Sequence, residues 1–305
     1  MEGQLDQIFV SVNSFRFACL TAGEPDAPLA LLLHGFPDNA WTWEHQFAPL
    51  AAAGYRVVAP FLRGYPPSAI PASGYYDAAT LAEDVRWLIE TLSPDRPAFL
   101  IGQDWGAALS YGLLALHPQL VARAVLMAIP HPATMAASLA DPEQLKRAFH
   151  WWYFQPEGLA DAQVPAADFA LIDYLWADWS PGHDHAAHVA RIKAMLRQPG
   201  AFTAAISYYR AAFNPAHRDP ALEHLRASLG KPIAVPTLAL CGSNDLRAAP
   251  MSRQADHFTG EYDYREVPNA GHFLHREQPE TINALILDWL AKPHSHSIVP
   301  GGFDV

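Results

Sequence analysis

The residues best suited to chemistry lie in the stretch Phe99-Leu100-Ile101-Gly102-Gln103-Asp104-Trp105-Gly106-Ala107-Ala108. An apolar, strand-like run ends there in Gly-x-Asp-x-Gly and passes directly into a helical run at 109–117. A turn this sharp needs glycines two residues to either side of its apex, because side chains there would clash with the strained apex backbone. Asp104 is that apex. A carboxylate attacking a carbonyl would form an anhydride and gain little. Attacking a saturated carbon, it forms a stable alkyl ester that water can hydrolyse. Asp104 therefore points to opening a C–O or C–halogen bond. The competing structural reading is an N-cap, since aspartate caps helices well and glycine is common in such turns.

Two residues in the C-terminal third would complete a catalytic set. Asp245 follows the apolar run 237–241 by way of Gly242-Ser243-Asn244, and His272 sits in Asn269-Ala270-Gly271-His272-Phe273 just after the strand-like run 262–267. Each has a plain alternative, Asp245 as a helix cap and His272 as a turn residue. All three stand at strand ends, and in a parallel sheet such ends converge on one edge.

The elements that must position them read as follows. Residues 8–20 hold two β-like runs around Asn13-Ser14, a hairpin pattern. Residues 29–33 are continuously apolar, as in a strand buried on both faces, and end in His34-Gly35-Phe36-Pro37-Asp38. A helical pattern at 43–53 and a strand at 55–61 follow, then a loop at 63–68. Residues 77–92 form an amphipathic helix with Leu81, Val85, Leu88 and Leu92 on one side. Strands at 98–102 and 121–129 complete a β-α-β-α alternation that predicts an α/β fold with a mostly parallel, doubly wound sheet. The rhythm then breaks. Residues 130–229 carry no convincing buried strand but aromatic-rich helical runs at 149–154, 174–179 and 202–213, read as a helical cap over the sheet's carboxyl edge. Strands at 236–241 and 262–267 and a closing helix at 281–291 return to the sheet. The expected division is a core of 1–129 and 230–292, a cap of 130–229, and a flexible tail at 293–305.

Composition narrows the partners. The chain has 305 residues, half of them apolar, enough to bury a large core. Asp and Glu outnumber Lys and Arg 31 to 20 with no long basic run, which disfavours nucleic acid and anionic membrane surfaces. No stretch is long and apolar enough to span a bilayer, and the N-terminal residues lack a basic segment followed by an apolar one. Cys19 and Cys241 both fall in apolar, strand-like runs and read as buried hydrophobes in a reducing cytoplasm. Among 15 histidines the densest cluster is His183, His185 and His188, which lies in a polar segment without cysteine support and reads as solvated surface. His294 and His296 read the same way. No metal or organic cofactor is expected.

Together these motifs resemble the α/β-hydrolases, and within them the epoxide hydrolases. Gly102-Gln103-Asp104-Trp105-Gly106-Ala107 is similar to that family's nucleophile motif, with aspartate where serine usually stands. His34-Gly35-Phe36-Pro37-Asp38 resembles its oxyanion loop and Asn269-Ala270-Gly271-His272-Phe273 its histidine motif. The order nucleophile, acid, histidine (104, 245, 272) is that of the α/β-hydrolase triad. The resemblance covers about residues 8–291, more weakly in the insertion. It implies an α/β-hydrolase fold with an inserted helical cap.

For activity, the resemblance implies that Asp104 attacks an epoxide carbon and that His272, oriented by Asp245, activates the water that hydrolyses the ester. Backbone N–H groups of Phe36 and Trp105 would form the oxyanion hole. In that family two cap residues, usually tyrosines, hold the epoxide oxygen. Ser207-Tyr208-Tyr209-Arg210 matches the second cap motif through Tyr209, leaving Tyr208 to packing. The first usually reads Tyr-x-x-Tyr-Phe-Gln, and here His150-Trp151-Trp152-Tyr153-Phe154-Gln155 places His150 in the tyrosine's place, with Tyr153 the alternative donor. Trp41, Trp105, Trp151, Phe154 and Phe273 are candidates for an aromatic lining suited to a small apolar epoxide.

The same triad serves haloalkane dehalogenases, where Trp105 and a further Trp (151, 152 or 176) would hold a halide. Fluoroacetate dehalogenases are similar too, but carry arginine where Trp105 stands, which disfavours a small carboxylate substrate. An inactive binding protein on the same fold is the third reading. A monomer or homodimer is expected.

Overall fold

The computed structural model describes residues 5–13 and 15–292. Eight strands form one sheet in the order β1-β2-β4-β3-β5-β6-β7-β8. They are β1 (Asp6–Val12), β2 (Phe15–Ala22), β3 (Leu29–Leu33), β4 (Arg56–Pro60), β5 (Ala98–Gln103), β6 (Val121–Met127), β7 (Thr237–Gly242) and β8 (Tyr262–Val267). β2 runs antiparallel to both neighbours and every other pairing is parallel. Every residue of β3, β5 and β7 is buried, as expected of apolar runs covered on both faces. The expected N-terminal hairpin forms, with Asn13 at φ +43° in its turn; Ser14 and the tail from 293 onward, with His294 and His296, lie outside the described residues.

Chain order places the helices. From β3 the chain steps to β4 through α1 (Phe47–Ala52), then reverses direction across the sheet through α2 (Ala78–Leu92) to β5 and through α3 (Trp105–Leu116) to β6. Right-handed crossovers in opposite directions put α1 on one face and α2 and α3 on the other. The packing follows: α2 lies on α3, and α1 on the closing helix at Pro279–Leu290. Such a reversal leaves a crevice at the carboxyl ends of the central strands, where open α/β sheets take their ligands. Asp104, Asp245 and His272 follow β5, β7 and β8, and 34–38 follows β3.

Between β6 and β7 come eight helices: α4 (Pro132–Ser138), α5 (Pro142–Arg147), α6 (Phe149–Tyr153), α7 (Leu159–Ala166), α8 (Ala170–Trp179), α9 (Ala186–Leu196), α10 (Ala201–Phe213) and α11 (Glu223–Arg226). No strand interrupts them among the described residues. After β7 come α12 (Ala248–Met251), α13 (Leu274–Glu277) and α14 (Pro279–Leu290).

One expectation fails here. His183 is largely exposed and His185 half-buried, but His188 is 2 % exposed, with its Nε2 2.7 Å from Asp38 Oδ1. Burial alone would raise the Asp38 pKa, but His188, together with Arg276 and Thr42, outweighs it and brings that carboxyl down to about 2. The surrounding residues look polar in sequence, yet α9 turns this one imidazole toward a carboxylate 150 positions away. Cys19 and Cys241 are buried and unpaired, as expected.

Candidate active site

Asp104 sits at φ +52°, ψ −120°, a conformation that costs a non-glycine residue about 1–3 kcal/mol. Its side chain does not cap α3, which removes the N-cap reading. Instead, Oδ1 accepts the Phe36 N–H at 2.8 Å. The turn tolerates no side chain at its flanks: a Cβ on Gly102 would run into the Gly106 carbonyl, and one on Gly106 into that of Leu33. A Cβ on Gly35 would strike the Asp104 carboxylate itself. The glycine spacing therefore brings the oxyanion loop and the apex aspartate into contact.

His272 completes the line. Its Nδ1 lies 2.9 Å from Asp245 Oδ2, and its Nε2 lies 3.5 Å from Asp104 Oδ2. Asp245 Oδ1 also accepts the Arg247 N–H at 2.9 Å, so it both caps locally and holds the imidazole. Burial would lower the His272 pKa, but the charges of Asp245 and Asp104 overcome it and raise it from 6.5 to about 10. His272 is thus an imidazolium clasped between two carboxylates.

Several residues that no motif singled out hold this arrangement. Glu277 accepts the N–H groups of Gly271 and Phe273 and a hydrogen bond from Ser180, fixing the histidine loop. The His272 N–H donates to the Trp179 carbonyl of α8 at 2.9 Å, and the Gln103 amide donates to the His272 carbonyl at 3.2 Å. His34, kept neutral by burial with its pKa near 4, donates from Nδ1 to the Gly35 carbonyl and accepts the Leu62 N–H at Nε2.

A cavity of about 310 Å³ opens above Asp104. Leu81, Leu109, Ile129, Met135, Leu139 and Phe213 make most of its wall, with Trp105 and Trp151 beside the carboxylate. Tyr209 also borders it, and its hydroxyl oxygen takes a hydrogen bond from the Trp105 side chain. Burial first, then the Asp104 charge, raises the Tyr209 pKa well above 10, while Trp105 and Arg247 pull it back.

The remaining expected residues take different places. His150 is 2 % exposed, 5.4 Å from Tyr209 and 5.0 Å from Trp179 ring to ring, and its Nδ1 is sealed without a partner. Burial, with Arg247 and His272 nearby, drives its pKa well below 6.5, so it is a neutral imidazole packed beside Tyr209. The Tyr153 hydroxyl turns outward to Gln163 at 2.9 Å, and that of Tyr208 donates to the Arg63 carbonyl at 2.7 Å. Of the aromatic candidates, Trp151 and Trp105 border the cavity and three others do not. Phe154 packs behind Tyr209 and Phe36, and Phe273 stacks on Trp176. Trp41 lies apart, partly exposed under Arg191. Tryptophan and phenylalanine at helical spacing serve the core as readily as a pocket, so sequence could not sort these.

No group of three or more His, Cys, Asp or Glu side chains among the described residues could hold a metal ion. No helix among them is long and apolar enough to cross a membrane.

With this geometry, the chain belongs to the alpha/beta hydrolase fold family, whose pattern it matches over residues 28–279. Its relatives narrow the branch. It is 32 % identical over 288 residues to an AB hydrolase superfamily protein, YfhM, of Bacillus subtilis, covering 92 % of this chain and 96 % of the other. It is 30 % identical over 318 residues to epoxide hydrolase A of Mycobacterium tuberculosis, again 92 % and 96 %. The crystal structure of epoxide hydrolase A from Mycobacterium thermoresistibile superposes with a TM-score of 0.78 at 28 % identity, covering 94 % of this chain and 98 % of that one.

Proposed function

We propose that this protein is an epoxide hydrolase that opens small apolar epoxides to vicinal diols through an ester on Asp104. The reading rests on one observation above all. A carboxylate lifted off its own helix and bonded to the Phe36 N–H shares an apolar cavity with the phenol of Tyr209.

Oδ2 of Asp104 attacks an oxirane carbon while the Tyr209 hydroxyl gives its proton to the departing oxygen. His150, neutral and packed against the Tyr209 ring, supports that phenol and supplies N–H character rather than an acidic proton. Ester formation removes the Asp104 charge, one of the two that hold the proton on His272, so the imidazolium gives its Nε2 proton, through solvent, back to the Tyr209 phenolate and is left neutral to act as base. His272 then takes a proton from water attacking the ester carbon. The ester carbonyl oxygen, derived from Oδ1, is already at the Phe36 N–H, and the Trp105 N–H at the start of α3 is the second donor. Asp245 orients the imidazole and balances its charge.

The cavity size and lining support a monoaryl or short alkyl epoxide with little polar functionality. The position of 130–229 over the sheet's carboxyl edge supports treating it as a cap on a core of 1–129 and 230–292. Two unpaired buried thiols support a cytoplasmic setting.

A single turnover in ¹⁸O-water tests the mechanism. The first diol should carry no label and label should accumulate in Asp104; label entering the first diol directly means water attacks the epoxide and ends the reading. Trp105 and Trp151 both bordering the cavity favour one alternative, halide release from a haloalkane. A bromoalkane assayed beside styrene oxide separates the two.

A further inference from the structure

Three successive backbone N–H groups carry the His272 imidazole, and each has a fixed acceptor. Those of Gly271 and Phe273 donate to the two oxygens of Glu277, the second at 3.1 Å. That of His272 donates to the Trp179 carbonyl at 2.9 Å. Trp179 ends α8, so the middle acceptor belongs to the inserted helices and not to the sheet. The approach is close, because a Cβ on Gly271 would strike that same carbonyl.

Glu277 joins the two sides. It ends α13, and its side chain is fully buried. Its Oε1 also accepts the hydroxyl of Ser180, the residue directly after α8, at 2.5 Å. With that proton committed, Ser180 Oγ accepts from His185 Nε2 at 2.9 Å, so the chain of donors runs from His185 through Ser180 to Glu277. Gly271, Phe273 and Ser180 all donate to this one group, and only a carboxylate accepts at both of its atoms. The Trp179 ring packs from the same helix end, centred 5.0 Å from the His272 ring and 5.0 Å from that of His150.

We propose that Glu277 and the Trp179–Ser180 end of α8 are positioning residues for His272, and that this clasp governs ester hydrolysis rather than ring opening. This rests on the function proposed above. The two steps ask different things of the imidazole. In ring opening Asp104 forms the new bond to carbon and Tyr209 protonates the departing oxygen. His272 is then only a neighbouring charge, its Nε2 3.5 Å from Asp104 Oδ2, and such an interaction changes slowly with distance. In hydrolysis a water oxygen bonds to the ester carbonyl carbon while a proton moves from that water to Nε2. The diol oxygen then leaves with the remaining hydroxyl proton, giving the diol, the Asp104 carboxylate and the imidazolium. Proton transfer requires heavy atoms about 2.6–3.2 Å apart, so a small displacement of Nε2 costs rate steeply. Asp245 holds Nδ1 but leaves the ring free to pivot about that one bond, and the clasp on the main chain removes the freedom.

The test separates the two steps. Wild type, Ser180→Ala, Glu277→Gln and the double variant are compared by single-turnover kinetics with styrene oxide, following formation and decay of the protein-bound ester. Glu277→Gln keeps the side chain's size but sets an amide NH₂ against backbone donors. It should slow hydrolysis about 10–100-fold and leave ester formation within about threefold of wild type, so that ester accumulates. Ser180→Ala should slow hydrolysis about 3–10-fold, the effect of one hydrogen bond. The double variant should lose less than the product of the two, since both changes break one unit. In the ligand-free proteins the proton between His272 and Asp245 should exchange faster in each variant, read as broadening of its NMR line. Equal slowing of both steps, slowing of ester formation alone, unchanged hydrolysis, or an unchanged NMR line each overturns the proposal. If Glu277→Gln does not fold, Ser180→Ala, which removes a single hydroxyl, carries both readouts. A wild type that forms no ester overturns the proposed function instead, while the NMR line still tests the clasp.

Discussion

The floor and roof of the cavity are built by different physics. The floor is charged and hydrogen-bonded: Asp104, His272 and Asp245 stand at strand ends, each with a partner at 2.8–2.9 Å. The roof is aromatic and its polar groups are sparsely bonded: the Tyr209 hydroxyl takes a hydrogen bond from the Trp105 side chain, and His150 Nδ1 is sealed without a partner. What positions the roof lies behind the rings. Gln155 donates to the carbonyls of Trp151 and Tyr209, tying α6 to α10, and Arg210 donates to the Phe154 carbonyl while pairing with Asp161. A floor fixed by directional bonds should respond to substitution all or nothing. A roof fixed by packing should respond in degrees.

That contrast can be broken at several points. Asp104→Asn should lower diol formation by about 10⁴–10⁶-fold, the scale of losing a member of a catalytic set. Steady-state rates within a hundredfold of wild type would remove the floor's role. Tyr209→Phe should cost about 10²–10⁴-fold with an epoxide; a nearly harmless change would favour halide release and leave the roof merely a lining.

Between floor and roof, the Asp38–His188 pair should show in stability rather than rate. Asp38→Ala strands a buried imidazole and should cost about 3–5 kcal/mol in denaturant melts, whereas replacing both partners with leucine should cost less. The pH dependence of the floor has a definite sign. The folded-state pKa of His272 is raised from 6.5 to about 10, so its contribution is complete below 6.5 and is lost as pH rises through about 10. The difference in melting temperature between wild type and His272→Gln should shrink accordingly from pH 6 to pH 10.5. The smallest effect belongs to Trp41→Ala, outside the cavity, which should change kcat/KM by no more than about twofold.

The floor was legible for a local reason. Gly-x-Asp-x-Gly, an apolar run before each acid or imidazole, and His-Gly-Phe-Pro-Asp are patterns in which neighbouring residues impose the backbone, and a parallel sheet gathers its strand ends on one edge. The roof was legible only through motif resemblance, which brought His150 and Tyr209 together but misplaced Trp41, Phe154 and Phe273. Their helical spacing is the same whether a ring faces a cavity or a core. His188 was misread because its partner stands 150 residues away. Glu277 sat five residues past His272 with nothing in sequence to mark its carboxylate as buried.

By itself, then, the amino-acid order determined the sheet, the strained apex at 104 and the three strand ends, because each follows from contacts within a few residues. Only the folded chain decided which aromatic rings meet the cavity and that His272 is held as a cation between two carboxylates. Those outcomes depend on distances between segments a hundred or more residues apart, and on the loss of water that burial brings. No local pattern encodes either.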